Sequence, residues 1–351
     1  MLPRSKPLLA FLLALPLSLV VVMWSLSQRR PRLVTTLRTP ASSLVLSKDS
    51  SILGIGAHDG SLSLWSRETN KRQTLPVDVA TAFSSVIPPE LSLSSDERTL
   101  FASNLQSING STLLYAWNVP TPQIRWSLVF DAKDDIRQFP PSPDGKVAIS
   151  RTLDVVKVFD TSSGGTPRNT KLSKFAHTFP GVTVFKETGA VKSASKWPRT
   201  ITVSPDGKTL ALAYPDAHVD FWDIATGQKQ SQTPPTRISP YTDWKLRYSP
   251  DGRFVALFVG SQIGLWDVTA ATWTMATVAV PTSAPSLVWM PDSHSLWTGG
   301  GSAQQWSVPK VGSLREVPVS GPIAVSGDGK TLATRSLTSN GVNGVWLWNI
   351  G

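Results

Sequence analysis

Residues 249–267 read SPDGRFVALFVGSQIGLWD, and this stretch decides the fold. In its first four residues, Ser249–Gly252, the proline presets φ, the aspartate caps the turn and the glycine can take the left-handed conformation. Immediately before Trp266, apolar residues fall at alternate positions, Ile263 and Leu265. A period of two is typical of half-buried antiparallel strands. The stretch therefore predicts a tight turn followed by a β-hairpin.

This turn belongs to a repeat that runs through the chain after residue 40. Seven four-residue segments share its pattern, and each has an aspartate at its third position. They are Ser47–Ser50, Ser94–Glu97, Ser142–Gly145, Ser204–Gly207, Ser249–Gly252, Met290–Ser293 and Ser326–Gly329. We call these segments the Asp turns. A repeat of about 40 to 45 residues with four strand segments is typical of a propeller blade.

An aromatic residue ends the third strand segment of every repeat. These residues are Trp65, Trp117, Phe159, Trp222, Trp266, Trp306 and Trp348. In five repeats the next residue is aspartate or asparagine, as in Trp222-Asp223 and Trp266-Asp267. The chain therefore resembles the WD-repeat β-propeller family, which is named for this pair, over roughly 300 residues.

The repeat and the resemblance predict an all-β fold, a seven-bladed β-propeller of four-stranded antiparallel blades over residues 33–351. The aspartate that belongs to the family's buried hydrogen-bond network is present only as Asp59 and Asp216, so we expect packing to carry more of the stability. In the sixth repeat, Ala303 and Gln305 replace large apolar residues, and we expect that blade to be the weakest.

The last repeat has no segment for a fourth strand after Trp348. Residues 33–39, LVTTLRT, are strand-like and precede the first blade. In WD-repeat propellers an N-terminal strand commonly completes the last blade. We therefore expect residues 33–39 to pair with the Trp346–Ile350 region.

The N-terminus contains a long apolar segment. Residues 8–26 are 19 residues without a charge, and as a helix they would span about 28 Å. We interpret them as a transmembrane signal-anchor helix between a basic N-terminus, 1–7, and a short basic linker, 27–32. A cleaved signal peptide is the alternative, although its apolar core is usually shorter and ends at a small-x-small site, which Ser25–Ser27 matches poorly.

The expected localisation is a single-pass membrane protein with an extracytoplasmic propeller. A short basic N-terminus, here with Arg4 and Lys6, is typical of a segment that stays inside, although the four arginines after the helix count the other way. The six residues between the helix and the first strand reach at most about 20 Å. We therefore expect the propeller to lie near the bilayer with its Asp turns towards lipid.

The basic charge is distributed unevenly. The net charge is +10, but residues 1–38 hold six basic residues and no acidic one, which leaves +4 for the remainder. This distribution does not favour a nucleic-acid partner for the folded domain. We expect a protein partner of unknown identity and no nucleic acid.

A basic insertion interrupts the third repeat within residues 161–200. Phe159 and Ser204 are 45 positions apart, against 20 to 29 at the other junctions, and the insertion carries a net +6. It is either a solvated loop or a docking surface for an acidic partner or lipid head groups. With the linker, it supplies the candidate binding residues Arg29, Arg30, Arg32, Arg168, Lys171, Lys174, Lys186, Lys192 and Lys196.

Within the insertion, we expect Val182–Val184 to form the outer strand of its blade. Arg168, Lys171 and Lys174 would then lie in the preceding loop, on the same side as the Asp turns.

The sequence offers no recognisable catalytic set. The chain has no cysteine, its four histidines include no two at metal-ligand spacing on one element, and no Gly-x-Ser-x-Gly segment occurs. We predict no catalytic residue, metal or cofactor, and a membrane-anchored, non-catalytic protein-interaction platform. The alternative is a propeller enzyme, such as a lactonase-like hydrolase with a metal in the central channel, which would require acidic or histidine side chains at the ends of the inner strands.

Overall fold

The structure is a computed structural model, and it describes 28 β-strands. The residues that it describes are 31–39, 41–57, 59–77, 89–106, 112–130, 147–151, 156–160, 170–171, 177–178, 198–235, 244–260, 262–277, 286–319, 321–337 and 343–351.

The described residues form six blades of four strands, and we number them I to VI in chain order. Blade I consists of β2 (Ser43–Leu46), β3 (Ile52–Gly56), β4 (Leu62–Ser66) and β5 (Lys71–Thr74). Blade II consists of β6 (Glu90–Leu93), β7 (Thr99–Gln106), β8 (Thr112–Asn118) and β9 (Ile124–Phe130). Blade III consists of β14 (Thr200–Val203), β15 (Thr209–Ala213), β16 (Val219–Asp223) and β17 (Lys229–Gln232).

The second half of the chain supplies the other three blades. Blade IV consists of β18 (Trp244–Tyr248), β19 (Phe254–Val259), β20 (Gln262–Asp267) and β21 (Thr272–Thr277). Blade V consists of β22 (Ser286–Trp289), β23 (Ser295–Gly299), β24 (Ala303–Ser307) and β25 (Ser313–Val317). Blade VI consists of β26 (Ile323–Val325), β27 (Thr331–Leu337), β28 (Asn343–Asn349) and, from the other end of the chain, β1 (Arg32–Leu37).

The predicted closure of the last blade is confirmed. β1 pairs antiparallel with β28, with Leu33 opposite Trp348 and Leu37 opposite Val345. Arg32 and Thr331 both pair with Asn349, so β1 begins at the same end of the blade as the Asp turn that precedes β27. The chain therefore enters the propeller on the face that carries the Asp turns.

The prediction of seven four-stranded blades is wrong, because the described residues of the third repeat do not form one. Its described sheet has three strands, β10 (Val147–Arg151), β11 (Val156–Asp160) and β13 (His177–Thr178). The basic insertion follows β11, and β12 comes before β13 in the chain. The strand that pairs with the outer side of β11 is β13, which is therefore not the next strand in sequence. Val182–Val184, the expected outer strand, lies outside the described residues.

A second strand of the insertion joins a different blade. β12 (Thr170–Lys171) pairs in parallel with the outer strand of blade II, with Thr170 opposite Leu128 and Lys171 opposite Val129. The sheet of blade II thereby gains a fifth strand. The insertion thus crosses from its own sheet to the edge of the preceding blade.

The core lies between neighbouring blades, as the alternating pattern predicts. Leu44 and Leu46 of blade I pack against Val345 and Leu347 of blade VI. Between blades III and IV, Val219 and Phe221 pack against Val255 and Leu257 in the same way. Blade IV packs in this way against both of its described neighbours, which explains the continuous burial of its strand β19.

The sixth repeat forms blade V with a polar side chain inside it. Gln305 is buried and its Nε2 donates a hydrogen bond to Ser295 Oγ at 2.8 Å. Ala303 is completely buried. The expected weakness of this blade stays a prediction.

The predicted membrane helix, residues 8–26, lies outside the described residues. Within the part of the chain that the structure describes, no helix has the length and apolar character needed to cross a membrane.

Candidate functional site

The innermost strands of the six blades line a common space. β2 contacts β6 on one side and β26 on the other, and the series continues through β22 and β18 to β14. In sequence order these are the first strands of blades I to VI, and each leads into an Asp turn. The space that they enclose is the central channel of the propeller.

Only three charged residues occur on these six inner strands. Glu90 is the first residue of β6, and Lys245 and Arg247 lie on β18. The other four inner strands, SLVL, TITV, SLVW and IAV, carry no charge. On the six described inner strands, the charged residues are therefore one acid and two bases.

These three side chains meet, and we call them the channel cluster. Lys245 Nζ lies 3.5 Å and Arg247 Nη2 lies 3.3 Å from the same oxygen, Glu90 Oε1. Arg247 Nη1 also donates a hydrogen bond to the Leu246 carbonyl at 3.0 Å. Because β6 and β18 are four steps apart in the series of inner strands, the ion pairs cross the channel.

The cluster is partly reached by solvent. The exposed fractions of the side chains are 35% for Glu90, 32% for Lys245 and 37% for Arg247. Desolvation alone would raise the pKa of Glu90, but the charges of Lys245 and Arg247 outweigh it and hold the pKa below its ordinary value. The carboxylate is therefore ionised at neutral pH, and the cluster carries a net charge of +1.

The cluster lies towards the channel mouth away from the Asp turns. Glu90 precedes Ser94 by four residues, a strand distance of about 13 Å. Lys245 likewise precedes Ser249 by four residues. The channel cluster therefore lies nearer the face opposite to the one on which the chain enters β1.

The Asp turns have one repeated geometry. In five described turns the first serine donates a hydrogen bond from Oγ to the aspartate Oδ1, at 2.5 to 2.8 Å. The same Oγ accepts a hydrogen bond from the backbone N–H five residues later, at 2.8 to 3.0 Å. Hydroxyl donors lower the pKa of these carboxylates, and Ser51 does most to bring that of Asp49 to about 2.

Backbone contacts tie several Asp turns to their neighbours. Asp251 N donates to Ser293 Oγ at 3.1 Å, which links blades IV and V. Asp328 N donates to the Lys48 carbonyl at 2.8 Å, which links blade VI to blade I. Lys48 N in turn donates to Glu97 Oε1 of blade II. The serine and aspartate side chains of these five turns are thus hydrogen-bonded within the fold.

A second polar cluster lies in blade III. His218 Nδ1 lies 2.5 Å from Asp216 Oδ1, and its Nε2 lies 3.5 Å from Asp220 Oδ1. Lys229 Nζ lies 2.8 Å from the same oxygen of Asp220, and the Tyr214 ring stacks on the imidazole with 4.4 Å between centroids. Within the described ranges, no group of three His, Asp or Glu residues is placed to hold a metal ion.

Two of the nine predicted binding residues fall in described strands. Arg32 begins β1, on the Asp-turn face. Lys171 lies in β12 beside Val129, near the end of β9 that is farthest from the Asp turns, so its expected place on the Asp-turn side is wrong. The others lie outside the described residues: Arg29, Arg30, Arg168, Lys174, Lys186, Lys192 and Lys196.

The sequence interpretation missed the channel cluster. The sequence did contain a signal for this cluster. The inner strands can be recognised as the segments that precede the Asp turns, and few of those segments carry a charged residue. What the sequence did not contain was the distance between the strands, since Glu90 and Arg247 are 157 residues apart in the chain.

Comparison with solved structures shows what the fold is similar to. The chain superposes on the β-propeller domain of Cps50 (Swd1) from Myceliophteria thermophila with a TM-score of 0.68 and 14% identity, covering 92% of this chain and all of that one. It superposes on a chain of the Mitotic Checkpoint Complex with a TM-score of 0.64 and 15% identity, covering 90% and 94% of the two chains. No protein-family model matches the sequence, and no curated protein matches it. These superpositions show that the fold is that of a β-propeller.

Proposed function

We propose that this chain is a membrane-anchored, non-catalytic platform for protein interaction. The observation that carries the proposal is the contrast between the two ends of the channel. In five Asp turns the serine and aspartate side chains are hydrogen-bonded to each other, whereas the channel cluster at the other end is partly exposed and keeps one excess positive charge. One structural neighbour belongs to the Mitotic Checkpoint Complex, and a place in a protein complex is the use we propose for this propeller.

The chemistry of the channel does not favour the hydrolase alternative. The one carboxylate on the described inner strands, Glu90, is ion-paired with two cations. Such pairing neutralises a carboxylate and lowers its proton affinity, which is the reverse of what a general base or acid near neutral pH requires. We therefore take the interaction platform as the function.

The proposed anchor is residues 8–26, with the propeller on the extracytoplasmic side. If the chain is anchored there, the register of β1 determines which face would lie towards the bilayer, because the chain enters the propeller on its Asp-turn face. Arg29, Arg30 and Arg32 would then lie at the level of lipid phosphates, where each basic residue is worth about 1 kcal/mol on an anionic membrane. The opposite face would point away from the bilayer.

The basic residues of the insertion would act on a partner. Lys171 lies beside the half of blade II that is remote from the Asp turns, the same half in which Glu90 begins β6. Arg168, Lys174, Lys186, Lys192 and Lys196 add to the charge of this insertion. We propose that they attract an acidic protein surface to the face that is remote from the membrane.

Single cysteines test the proposal, because the natural chain has none. We would introduce Val77→Cys, an exposed position after β5 on the face away from the Asp turns, or Lys330→Cys on the Asp-turn face. In intact cells, an impermeant maleimide should label Val77→Cys, and a photo-crosslinker at that position should yield a discrete protein adduct. The matched Lys330→Cys variant should yield no such adduct. Labelling only after the cells are opened would contradict the orientation, and equal adducts from both positions would contradict the partner face.

A further inference from the structure

We infer that the channel cluster is a receptor for a carboxylate side chain of an acidic partner peptide, and that Glu90 is an internal carboxylate occupying the same site. This inference rests on the proposed function and names the chemistry of the partner. It follows from the composition of the inner strands, the geometry of the three side chains and their charge.

The composition shows that the cluster is exceptional within the fold. The repeat determines which positions on the inner strands are apolar, and four of the six described inner strands carry no charge. The three charged residues lie on two strands on different sides of the channel. The apolar packing between neighbouring blades does not include these three side chains.

The geometry leaves donors for a second acid. Both cations approach one oxygen of Glu90, Oε1, at 3.3 and 3.5 Å. An ammonium group has three donors and a guanidinium group has five, so one carboxylate oxygen uses only part of this capacity. A second carboxylate could therefore bridge Lys245 and Arg247 from the channel mouth.

Charge favours an acid over a base as the incoming group. Two cations and one carboxylate leave a net +1, which attracts an anion and repels a cation. A partner lysine or arginine would have to compete with Lys245 and Arg247 for Glu90, and would meet two like charges. An acidic side chain instead meets two cations and one carboxylate that it can displace.

Glu90 would limit the affinity. While its carboxylate occupies the cations, an incoming acid must either share them or replace it, and the two like charges repel each other. Removing the charge of Glu90 without changing its shape should therefore improve binding. This outcome distinguishes an occupied receptor site from an ion pair that only stabilises the fold.

The test is a calorimetric titration of the folded propeller with a blocked hexaglutamate peptide, with a blocked hexaglutamine peptide as the reference ligand. Glu90→Gln should bind hexaglutamate about tenfold more tightly than the natural chain, because one repelling charge is removed. The double variant Lys245→Gln/Arg247→Gln should lose the preference for hexaglutamate over hexaglutamine. Thermal melts would confirm that every variant is folded before titration.

The matched control is Arg253→Gln. Arg253 belongs to blade IV, as Lys245 and Arg247 do, and its Nη2 lies 2.9 Å from Asp267 Oδ2. Unlike them, it lies on the Asp-turn face. This variant should bind hexaglutamate as the natural chain does. The inference is overturned if Glu90→Gln binds no better than the natural chain, or if Arg253→Gln loses as much affinity as the channel double variant. Either result would overturn the carboxylate receptor only. The proposed interaction platform is tested separately, by comparing the crosslinks formed from Val77→Cys and Lys330→Cys.

Discussion

The Asp turns and the channel cluster lie at opposite ends of the same inner strands and are built on different principles. Five of the described Asp turns repeat one set of hydrogen bonds between a serine, an aspartate and the following backbone, as at Ser204 and Asp206. The channel cluster has no counterpart in the repeat, and it joins blades that are not neighbours. The first pattern uses its polar groups within the fold, and the second leaves charge exposed.

This difference indicates which residues of a repeated fold are candidates for ligand binding. Residues that recur in every blade are explained by the geometry of the blade, so their presence says little about a ligand. Residues that break the repeat without helping the packing are the better candidates for recognition. We therefore expect changes in the repeated features to alter the free energy of unfolding, and changes in the cluster to alter ligand affinity.

The largest effect on stability should come from removing the closing strand. A chain that starts at Ser42 lacks β1 and leaves β28 as an open edge, whereas a chain that starts at Arg32 retains β1. The loss of a ladder of hydrogen bonds and of apolar contacts should lower the free energy of unfolding by several kcal/mol. Denaturant titration of the two chains measures the difference, and equal midpoints would show that β1 does not close the propeller.

A smaller loss should follow from removing one turn aspartate. Asp206 Oδ1 accepts hydrogen bonds from Ser204 Oγ at 2.5 Å and from Lys208 N at 3.1 Å. We expect Asp206→Ala to cost about 1 to 2 kcal/mol at pH 7. In blade V, Met290 replaces the serine and Asp292 Oδ1 accepts from His294 N at 2.9 Å, so Asp292→Ala should cost less. Equal costs for both variants would mean that the serine contributes nothing.

The cost of Asp206→Ala should also depend on pH. The hydroxyl of Ser204 holds the pKa of Asp206 below its ordinary value. A lowered pKa in the folded state stabilises the fold above the pKa of the unfolded chain, about 3.9, and this contribution is lost as the pH falls through the folded value. The difference in unfolding free energy between the natural chain and Asp206→Ala should therefore shrink below pH 4, and a constant difference would argue against an ionic role.

The smallest effect should be a gain at the fourth position of an Asp turn. Ser50 has φ +63°, a left-handed conformation that Gly207, Gly252 and Gly329 adopt at equivalent positions. The Ser50 hydroxyl is buried and has no hydrogen-bond partner among the described atoms. We expect Ser50→Gly to stabilise the protein by about 1 kcal/mol. The reverse type of change, Gly252→Ala, should lower the free energy of unfolding by a similar amount. If both variants are less stable than the natural chain in a denaturant titration, the backbone at Ser50 is not strained.

The same comparison shows what could be predicted from the sequence. The Asp turns, the aromatic strands and the closure of the last blade by β1 followed from local patterns, because turn chemistry and a period of two act over a few residues. The third repeat did not follow its siblings, since the insertion interrupts the succession of strands and β12 pairs with blade II instead. The partners of Glu90 depend on distances across the channel, which no local pattern contains.

The contact between Lys171 and blade II could not be predicted for the same reason. Its neighbours Leu128 and Val129 belong to the preceding blade, and a parallel pairing of two residues leaves no periodic signal in the sequence. Arg32, by contrast, lies in the strand that the closing pattern predicted. The position of Arg32 thus followed from the repeat and that of Lys171 did not, and binding by either residue stays a prediction.

The central claim is that repeated residues support the fold while the non-repeated charges of the channel bind the partner. The most direct measurement is a hexaglutamate titration of two variants, Asp206→Ala and Lys245→Gln/Arg247→Gln, each with its free energy of unfolding. We predict that Asp206→Ala keeps its affinity and loses about 1 to 2 kcal/mol of stability, and that the channel variant loses its affinity with a stability change below about 1 kcal/mol. Loss of affinity in Asp206→Ala, or retained affinity in the channel variant, would contradict the account.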